Sequence, residues 1–414
     1  MQAQAVSASA STAAPLNILA PENLRNPYPM FQYLLAEEPL FFDENSKFYV
    51  LSRHADIDAF LKDRSVSADR YTTLASDTPE AERSMNDVIV NYLSMFMLNL
   101  ENEKHARLRN LTNKSFLPRH MESLGPFASA VADELVTAAK ARGRLEIISD
   151  LAFPMPVRFI CQILGLPNVD IPLIKELSDY VSVYVGSAGR APGCIPLAHR
   201  GFTELAELFW PIVVERRRNP TTDDLVTSLL SVREGDDTLS DEEVVANCIL
   251  FLVSGFETTT NLIAAGTLAL LEHPDQLALL RENPKLIDTA VEEMLRYYPP
   301  VNRTARVLVD DIELYGKTLC KGQIVILMLG AGNRDPRVFK DPDRFDITRP
   351  RQGKILSFGA GHHFCIGSHL ARLEGKIAIQ TLLRELPEIR YSAESLTWRG
   401  GSRFRGIQSM EIAF

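Results

Sequence analysis

Cysteine is scarce and scattered. Cys161, Cys194, Cys248, Cys320 and Cys365 are odd in number, widely spaced and without a Cys-x-x-Cys pair. That argues against a disulfide scaffold or a zinc ribbon and for a reducing, cytoplasmic setting. Long apolar runs are lacking too: no unbroken stretch reaches the roughly eighteen residues expected of a membrane-spanning helix. Basic charge is in deficit, with 44 Lys and Arg against 53 Asp and Glu, a formal charge of −9. A nucleic acid as main partner wants the opposite balance. The first fourteen residues, Met1 to Ala14, carry no side-chain charge and have neither the basic start nor the apolar centre of a signal peptide. Residues 1–20 read as a disordered tail.

What remains is ordinary globular material. Of 414 residues, 46% are hydrophobic and 23% charged, which excludes wholesale disorder and collagen-like architecture. The patterning is mostly helical. Helical spacing runs over 26–38 and 54–63 and dominates 103–293, with a hairpin pattern over 41–52 around Asp43-Glu44-Asn45. The stretch 67–102 is irregular and ends in the Met-rich run 93–98. Asp241 to Glu272 is the longest helical candidate, apolar on most sides between Ile249 and Leu271, as in a helix sunk in a large core. Residues 186–193 hold three Gly and one Pro, a flexible connector that could serve as the hinge of a substrate lid. After Pro299 come short strands over 301–314 and 317–329, a Pro- and Asp-rich coil over 333–350 and a helix over 367–386. The fold class is mainly α with minor β.

The most informative segment is Phe358-Gly359-Ala360-Gly361-His362-His363-Phe364-Cys365-Ile366-Gly367. A cysteine after a Gly-rich turn and just before a helix meets unpaired N–H groups and a partial positive charge, both of which favour thiolate. Gly359, Gly361 and Gly367 permit tight backbone and close approach of a flat ligand. A thiolate so placed is a good axial ligand for haem iron. The pattern FGxGxHxCxG is complete, and by it the chain resembles the haem-thiolate cytochrome P450 family of the soluble bacterial type.

Other segments agree with the resemblance. Ser254-Gly255-Phe256-Glu257-Thr258-Thr259 resembles the family's oxygen-activating motif, with Ser254 in place of Ala or Gly. Gly, an acid and hydroxyls inside an apolar helix break local rules, as functional sites do. A hydroxyl at Thr258 can compete for backbone carbonyls and open the helix into a groove. The resemblance implies that Thr258 hydrogen-bonds bound dioxygen and that Glu257 relays protons. Glu293-Met294-Leu295-Arg296 resembles the ExxR motif. Glu22/Arg25, Glu80/Arg83 and Glu215/Arg218 share that spacing, and only order along the chain selects Glu293 and Arg296. Arg344, in Asp341-Pro342-Asp343-Arg344-Phe345, resembles the third member of a buried structural triad.

His105 and Arg109 share a helix face and can reach one anion. With Arg306 and His363 they resemble the family's donors to the haem propionates, and Phe358, Gly359 and Cys365 complete the implied haem-binding set, Cys365 as the iron ligand. The prolines usual before the His105 helix are replaced by Asn102-Glu103.

The resemblance covers about Asn26 to the C-terminus and implies one haem domain over 21–414, haem b (iron protoporphyrin IX) as cofactor and O2 as co-substrate. The implied reaction is monooxygenation, hydroxylation or epoxidation of a small organic substrate in natural-product or xenobiotic metabolism. No flavin domain fits beside the haem domain and no four-cysteine iron–sulfur run exists. Electrons originating in NAD(P)H would therefore arrive through a ferredoxin or flavodoxin with its reductase, for which Arg107 and Arg372 offer a basic docking face. No membrane partner is expected, and a monomer is. The implied substrate pocket is Met95, Met97, Val253, Ser254, Val301, Asn302 and Phe404, largely apolar. The Met-rich part is open to two readings, adaptable lining or plain core. Arg303 is open to two as well, a partner for a substrate carboxylate or a solvent-facing strand arginine. Two rival functions stay open: a peroxide-using or rearranging enzyme on the same scaffold, and a non-catalytic haem carrier or sensor.

Overall fold

The computed structural model describes residues 16–71, 78–166, 168–187, 189–220, 224–235, 237–350, 353–399 and 405–414. At its centre lies the helix Asp241–Glu272. Ser240 starts it with a capping box: its hydroxyl accepts from the Glu243 N–H at 3.1 Å, and the Glu243 carboxylate accepts from the Ser240 N–H at 2.9 Å. Asp241, Glu242 and Glu243 place negative charge where the helix dipole wants it. His273 ends it, ahead of Pro274. The helix is long and apolar enough to cross a membrane, but 72% of its most apolar stretch is buried inside the fold. The short interruptions that hide it as a continuous apolar run, such as Asn247 and Thr260, are themselves buried.

Other helices pack around this axis, among them Pro154–Ile163, Ile171–Ser187, Cys194–Arg218, Ile287–Tyr297 and Ser368–Glu385. Gly375 lets the last of these lie against the central helix: a Cβ there would sit 2.9 Å from Leu262 Cδ2. To one side stands a five-stranded sheet. The hairpin Leu40–Asp43 and Phe48–Leu51 is antiparallel, and its second strand runs parallel to Ile324–Leu327. Thr304–Leu308 then pairs antiparallel with Ile324–Leu327 and with Val66–Ser67. Mainly helical structure with small sheets matches the pattern read from the sequence.

The expected tail is too long at its inner end. Ile18 is 1% exposed and packs with Phe31 and Leu34, so ordered structure begins before residue 20. Met1 to Pro15 lie outside the described residues.

Candidate active site

The Gly-rich segment forms a tight loop that ends at Cys365. The Cys365 N–H donates to the Phe358 carbonyl at 2.9 Å, and Gly359 N–H to Leu356 O at 2.8 Å. Gly359 and Gly361 have φ of 67° and 69°, in the left-handed region. At Gly361 space is decisive as well. A Cβ there would lie 2.6 Å from the Leu61 carbonyl oxygen and 2.9 Å from Lys62 Cα, so the loop backbone rests on the end of the helix His54–Lys62. Gly367 is under neither constraint from the protein, with φ −82° and no atom within 4 Å of its Cβ position.

Cys365 opens onto an interior cavity. Burial pushes its thiol pKa up, opposed by the Gly367 N–H and by the charges of Arg109 and Arg372. A metal cation at the sulfur reverses that balance, because a coordinating thiol is deprotonated outright.

The same cavity gathers four basic groups from three places in the chain: His105 and Arg109 on one helix, Arg306 and His363. His105 Nε2 and His363 Nε2 are buried with no hydrogen-bond partner among the described residues, Glu101 coming no nearer to His363 than 3.5 Å. Arg306 is 6% exposed and its guanidinium donates only to the carbonyl of Ala305, at 2.9 Å. Burial, then the charge of Arg70, lowers its pKa to about 10; burial also lowers Arg109. His105 falls to about 4, by burial first and then by the charges of His363, His362 and Arg109. Buried donors without acceptors are costly. A flat apolar group with two carboxylates and an iron would supply acceptors to all four and a cation to the thiol. The donor set therefore fits haem.

Across the cavity runs the central helix, presenting Leu250, Ser254, Gly255, Thr258 and Thr259. The expected opening is not a break, for the helix is continuous through the motif. The hydroxyls bond back along it instead: Ser254 Oγ to the Leu250 carbonyl, Thr258 Oγ1 to Ser254 O at 3.0 Å and Thr259 Oγ1 to Gly255 O at 3.0 Å. Thr258 lines the cavity; Glu257 does not. Glu257 Oε2 accepts from Ser182 Oγ at 3.1 Å, and its Oε1 lies 3.3 Å from Arg399 Nη1. Glu257 and Thr258 meet at a smaller cavity of about 50 Å³, which Ser182 and Ser254 also line.

Behind the loop, Glu293 and Arg296 are both buried and joined by two N–H···O contacts of 2.8 Å. The third side chain on Glu293 is Arg349, not Arg344. Arg349 Nε lies 3.1 and 3.2 Å from the Glu293 oxygens, whereas Arg344 is exposed and contributes only its backbone carbonyl, to Arg296 Nη2 at 3.1 Å. Arg349 carried no motif of its own, and 56 residues separate it from Glu293. From this cluster the bonds continue to the loop. Arg296 donates to Asn333 O at 3.0 Å, the Asn333 side chain accepts from Leu356 N–H at 2.7 Å and donates to Ser357 Oγ at 2.8 Å.

Of the expected substrate pocket, Met97, Ser254 and Val301 line the large cavity, and Val253 lines the smaller one. Met95 and Asn302 line neither. Met95 closes the helix Arg83–Met95, its carbonyl taken by Asn247, and packs on the core. Asn302 turns toward Gly330, its carbonyl accepting from the Gly330 N–H at 3.0 Å. Phe404 lies outside the described residues. Arg303 faces a third cavity beside the large one. The expected docking arginines are engaged. Arg107 bonds Asp237 at 2.7 Å and Glu243 at 2.6 Å, and Arg372 pairs with Glu292 while stacking 4.3 Å from the centre of the Phe358 ring. Both stabilise the fold rather than offering free charge.

A cytochrome P450 family model matches residues 197–387. The biotin biosynthesis cytochrome P450 of Bacillus subtilis (strain 168) is 36% identical over 395 residues, 95% of this chain and 97% of that protein. The vitamin D(3) 25-hydroxylase of Pseudonocardia autotrophica is 37% identical over 396 residues, 94% of each. The crystal structure of P450BioI in complex with a hexadec-9Z-enoic acid ligated acyl carrier protein superimposes with TM-score 0.87 at 36% identity, covering 95% of this chain and 99% of that one. Likeness of this order along nearly the whole length, in sequence and in backbone alike, means that the chain belongs to the cytochrome P450 family: it is a haem-dependent oxidoreductase that incorporates oxygen from O2 into a small organic substrate.

Proposed function

We propose that Cys365 would be the iron ligand of this monooxygenase, that His105, Arg109, Arg306 and His363 would hold the haem propionates, and that Phe358 and Gly359 would complete the haem-binding set. When bound, haem with a thiolate ligand supplies the cleavage of the O–O bond and the attack on an unactivated C–H or C=C bond. The protein's part is to place, shield and move protons. Thr258 holds its hydroxyl at the cavity wall, where it can donate to dioxygen once its single O–H leaves the Ser254 carbonyl. Glu257 takes up protons on the side of Ser182 and Arg399 and passes them inward through the small cavity it shares with Thr258. Glu293, Arg296 and Arg349 fix the loop and act on no substrate atom.

Met97, Ser254 and Val301 border the substrate space, which is largely apolar and suits a natural-product or xenobiotic scaffold. Electrons originate in NAD(P)H and come through a ferredoxin or flavodoxin with its reductase. The setting is the cytoplasm, with the chain acting as a monomer.

The observation that carries this reading is the set of buried, unpartnered donors converging on the cavity that Cys365 faces. The test is the visible spectrum of the reduced protein under carbon monoxide. The thiolate-type band is expected, and Cys365→Ser is expected to lose it while keeping the parent's far-ultraviolet dichroism. A Cys365→Ser protein with the parent's absorption bands would refute the assignment.

A further inference from the structure

Beside the haem cavity lies another, of about 450 Å³, which shares Arg70 and Thr304 with it. One wall is sheet: Arg303, Thr304 and Ala305, with Ile324 and Ile326 on the neighbouring strand. The opposite wall is the end of the helix Ile171–Ser187 and the Gly-rich connector that follows it. The lining mixes apolar side chains with Asn45, Ser46, Ser187 and Thr304, and the charged ones are all arginines: Arg70, Arg190 and Arg303.

None of the three guanidinium groups makes an ion pair or side-chain hydrogen bond among the described residues. Arg70 lies 5.6 Å from the centre of its neighbour Tyr71, and Arg190 lies 5.9 Å from that of Phe48. The carboxylate whose charge Arg303 feels, Asp43, is fully buried and already bound by the Ser46 N–H and hydroxyl, at 3.3 and 2.6 Å. Burial depresses the Arg303 pKa to about 10, the mark of a cation short of partners. Arg70 and Arg303 are half-buried and Arg190 is exposed, so holding three like charges at one space without a counter-charge among the described residues carries a cost that falls chiefly on Arg303. An anionic group that arrives from outside relieves that cost.

We propose that this cavity anchors the substrate by its carboxylate: the enzyme takes an amphiphilic carboxylic acid, holds the carboxylate among Arg190, Arg303 and Arg70, and lets the apolar chain pass Thr304 into the haem cavity. The proposal rests on the haem-thiolate reading and adds the substrate class to it. Oxidation then falls on carbons remote from the carboxyl end. Because Arg190 belongs to the connector, binding of the anion also ties that segment down. Arg190 and Arg303 are the discriminating positions, since neither lines the haem cavity.

The experiment uses the haem-loaded enzyme and tetradecanoic acid, its methyl ester and its phosphopantetheine thioester. The carbon monoxide spectrum is recorded first on parent, Arg303→Ala, Arg303→Lys and Arg190→Ala. A missing thiolate band in the parent strikes at the haem reading and not at the anchor. Binding is then followed by calorimetry and by displacement of the iron-bound water. The parent is expected to prefer the free acid over its ester by about tenfold or more, as charge-assisted bonds to a guanidinium require. Arg303→Ala and Arg190→Ala are expected to lose most of that preference with ester affinity unchanged, Arg303→Lys to keep part of it, and the acid alone to protect the segment around 184–194 from hydrogen exchange. Equal affinity of the parent for acid and ester overturns the proposal, as does an equal loss of both ligands in the variants. So does a thioester that binds more tightly than the acid and whose binding the variants lose, which would assign the arginines to a phosphate.

Discussion

Glu293 receives Arg296 through two N–H···O contacts of equal length, 2.8 Å each, with both side chains shut away from solvent. The same carboxylate also accepts from the Asp346 N–H at 2.9 Å. The pair ties its helix to the coil that leads into the cysteine loop, through Asn333, Pro342 and Arg344 carbonyls.

Removing Arg296 takes two N–H donors from a buried carboxylate that keeps Arg349 and the Asp346 N–H. Arg296→Ala is expected to cost about 3–5 kcal/mol of unfolding free energy. Arg349→Ala removes a second donor and is expected to cost less. Arg344→Ala, which keeps the carbonyl and trims an exposed side chain, is expected to stay within about 0.5 kcal/mol of the parent. Urea unfolding of the three variants ranks them, and a costly Arg344→Ala would contradict the placement of Arg349 at Glu293.

The proton path predicts a division of labour. Glu257→Gln keeps the size and the Ser182 bond but loses the exchangeable charge, so turnover is expected to fall about 10²-fold with substrate affinity unchanged. Thr258→Ser is expected to keep most of the turnover that Thr258→Ala loses. Arg399→Ala removes a cation beside Glu257 Oε1 and is expected to change the pH profile of turnover more than its maximum. Steady-state kinetics across pH check all of these.

The loop glycines are not equivalent. Gly361→Ala forces a side chain into left-handed backbone and against the Leu61 carbonyl, an expected cost of about 2–4 kcal/mol together with weaker haem retention. Gly367→Ala meets nothing within 4 Å in the protein and is expected to be mild. Thermal melting and haem release to apomyoglobin separate the two. Equal damage at both would point to crowding at Gly367 by the haem itself.

Glu374 is 2% exposed, and its Oε2 has no hydrogen-bond partner among the described residues. Burial raises its pKa well above the ordinary 4.5, so the fold holds the acid neutral. A group raised in the folded state favours folding fully below the unfolded value and progressively less as pH climbs toward the folded one. Glu374→Gln removes that penalty at nearly constant shape. Its melting temperature is expected to exceed the parent's by a margin that grows from about pH 5 to alkaline pH. A margin that shrinks over that range would show the carboxylate to be charged in the fold.

The helices, the hairpin and the change to strands after Pro299 could be read ahead of the structure because each depends on neighbours in the chain. The cysteine loop, the His105/Arg109 face and the Glu257-Thr258 motif were legible for the same reason: their spacing is local, within one turn of helix or one tight loop. Among the placements that misled, two show the reason. Arg344 sits in a recognisable segment, yet the backbone there turns its side chain to solvent and brings Arg349 inward. Asn302 neighbours Val301, yet alternation along an extended chain sends consecutive side chains to opposite faces.

By itself, then, the sequence determined the local motifs from which the site is proposed: a cysteine framed by glycines, an acid next to a hydroxyl, and cations at helical and strand positions, all written in short intervals where covalent geometry leaves little freedom. Only the tertiary structure decided which distant arginine completes the Glu293 cluster, that Arg107 and Arg372 are occupied by carboxylates, and that Arg70, Arg190 and Arg303 look into one space. Those relations join segments far apart along the chain. Which of them meet is set by how helices and sheet pack, and packing is a property of the whole core rather than of any local pattern.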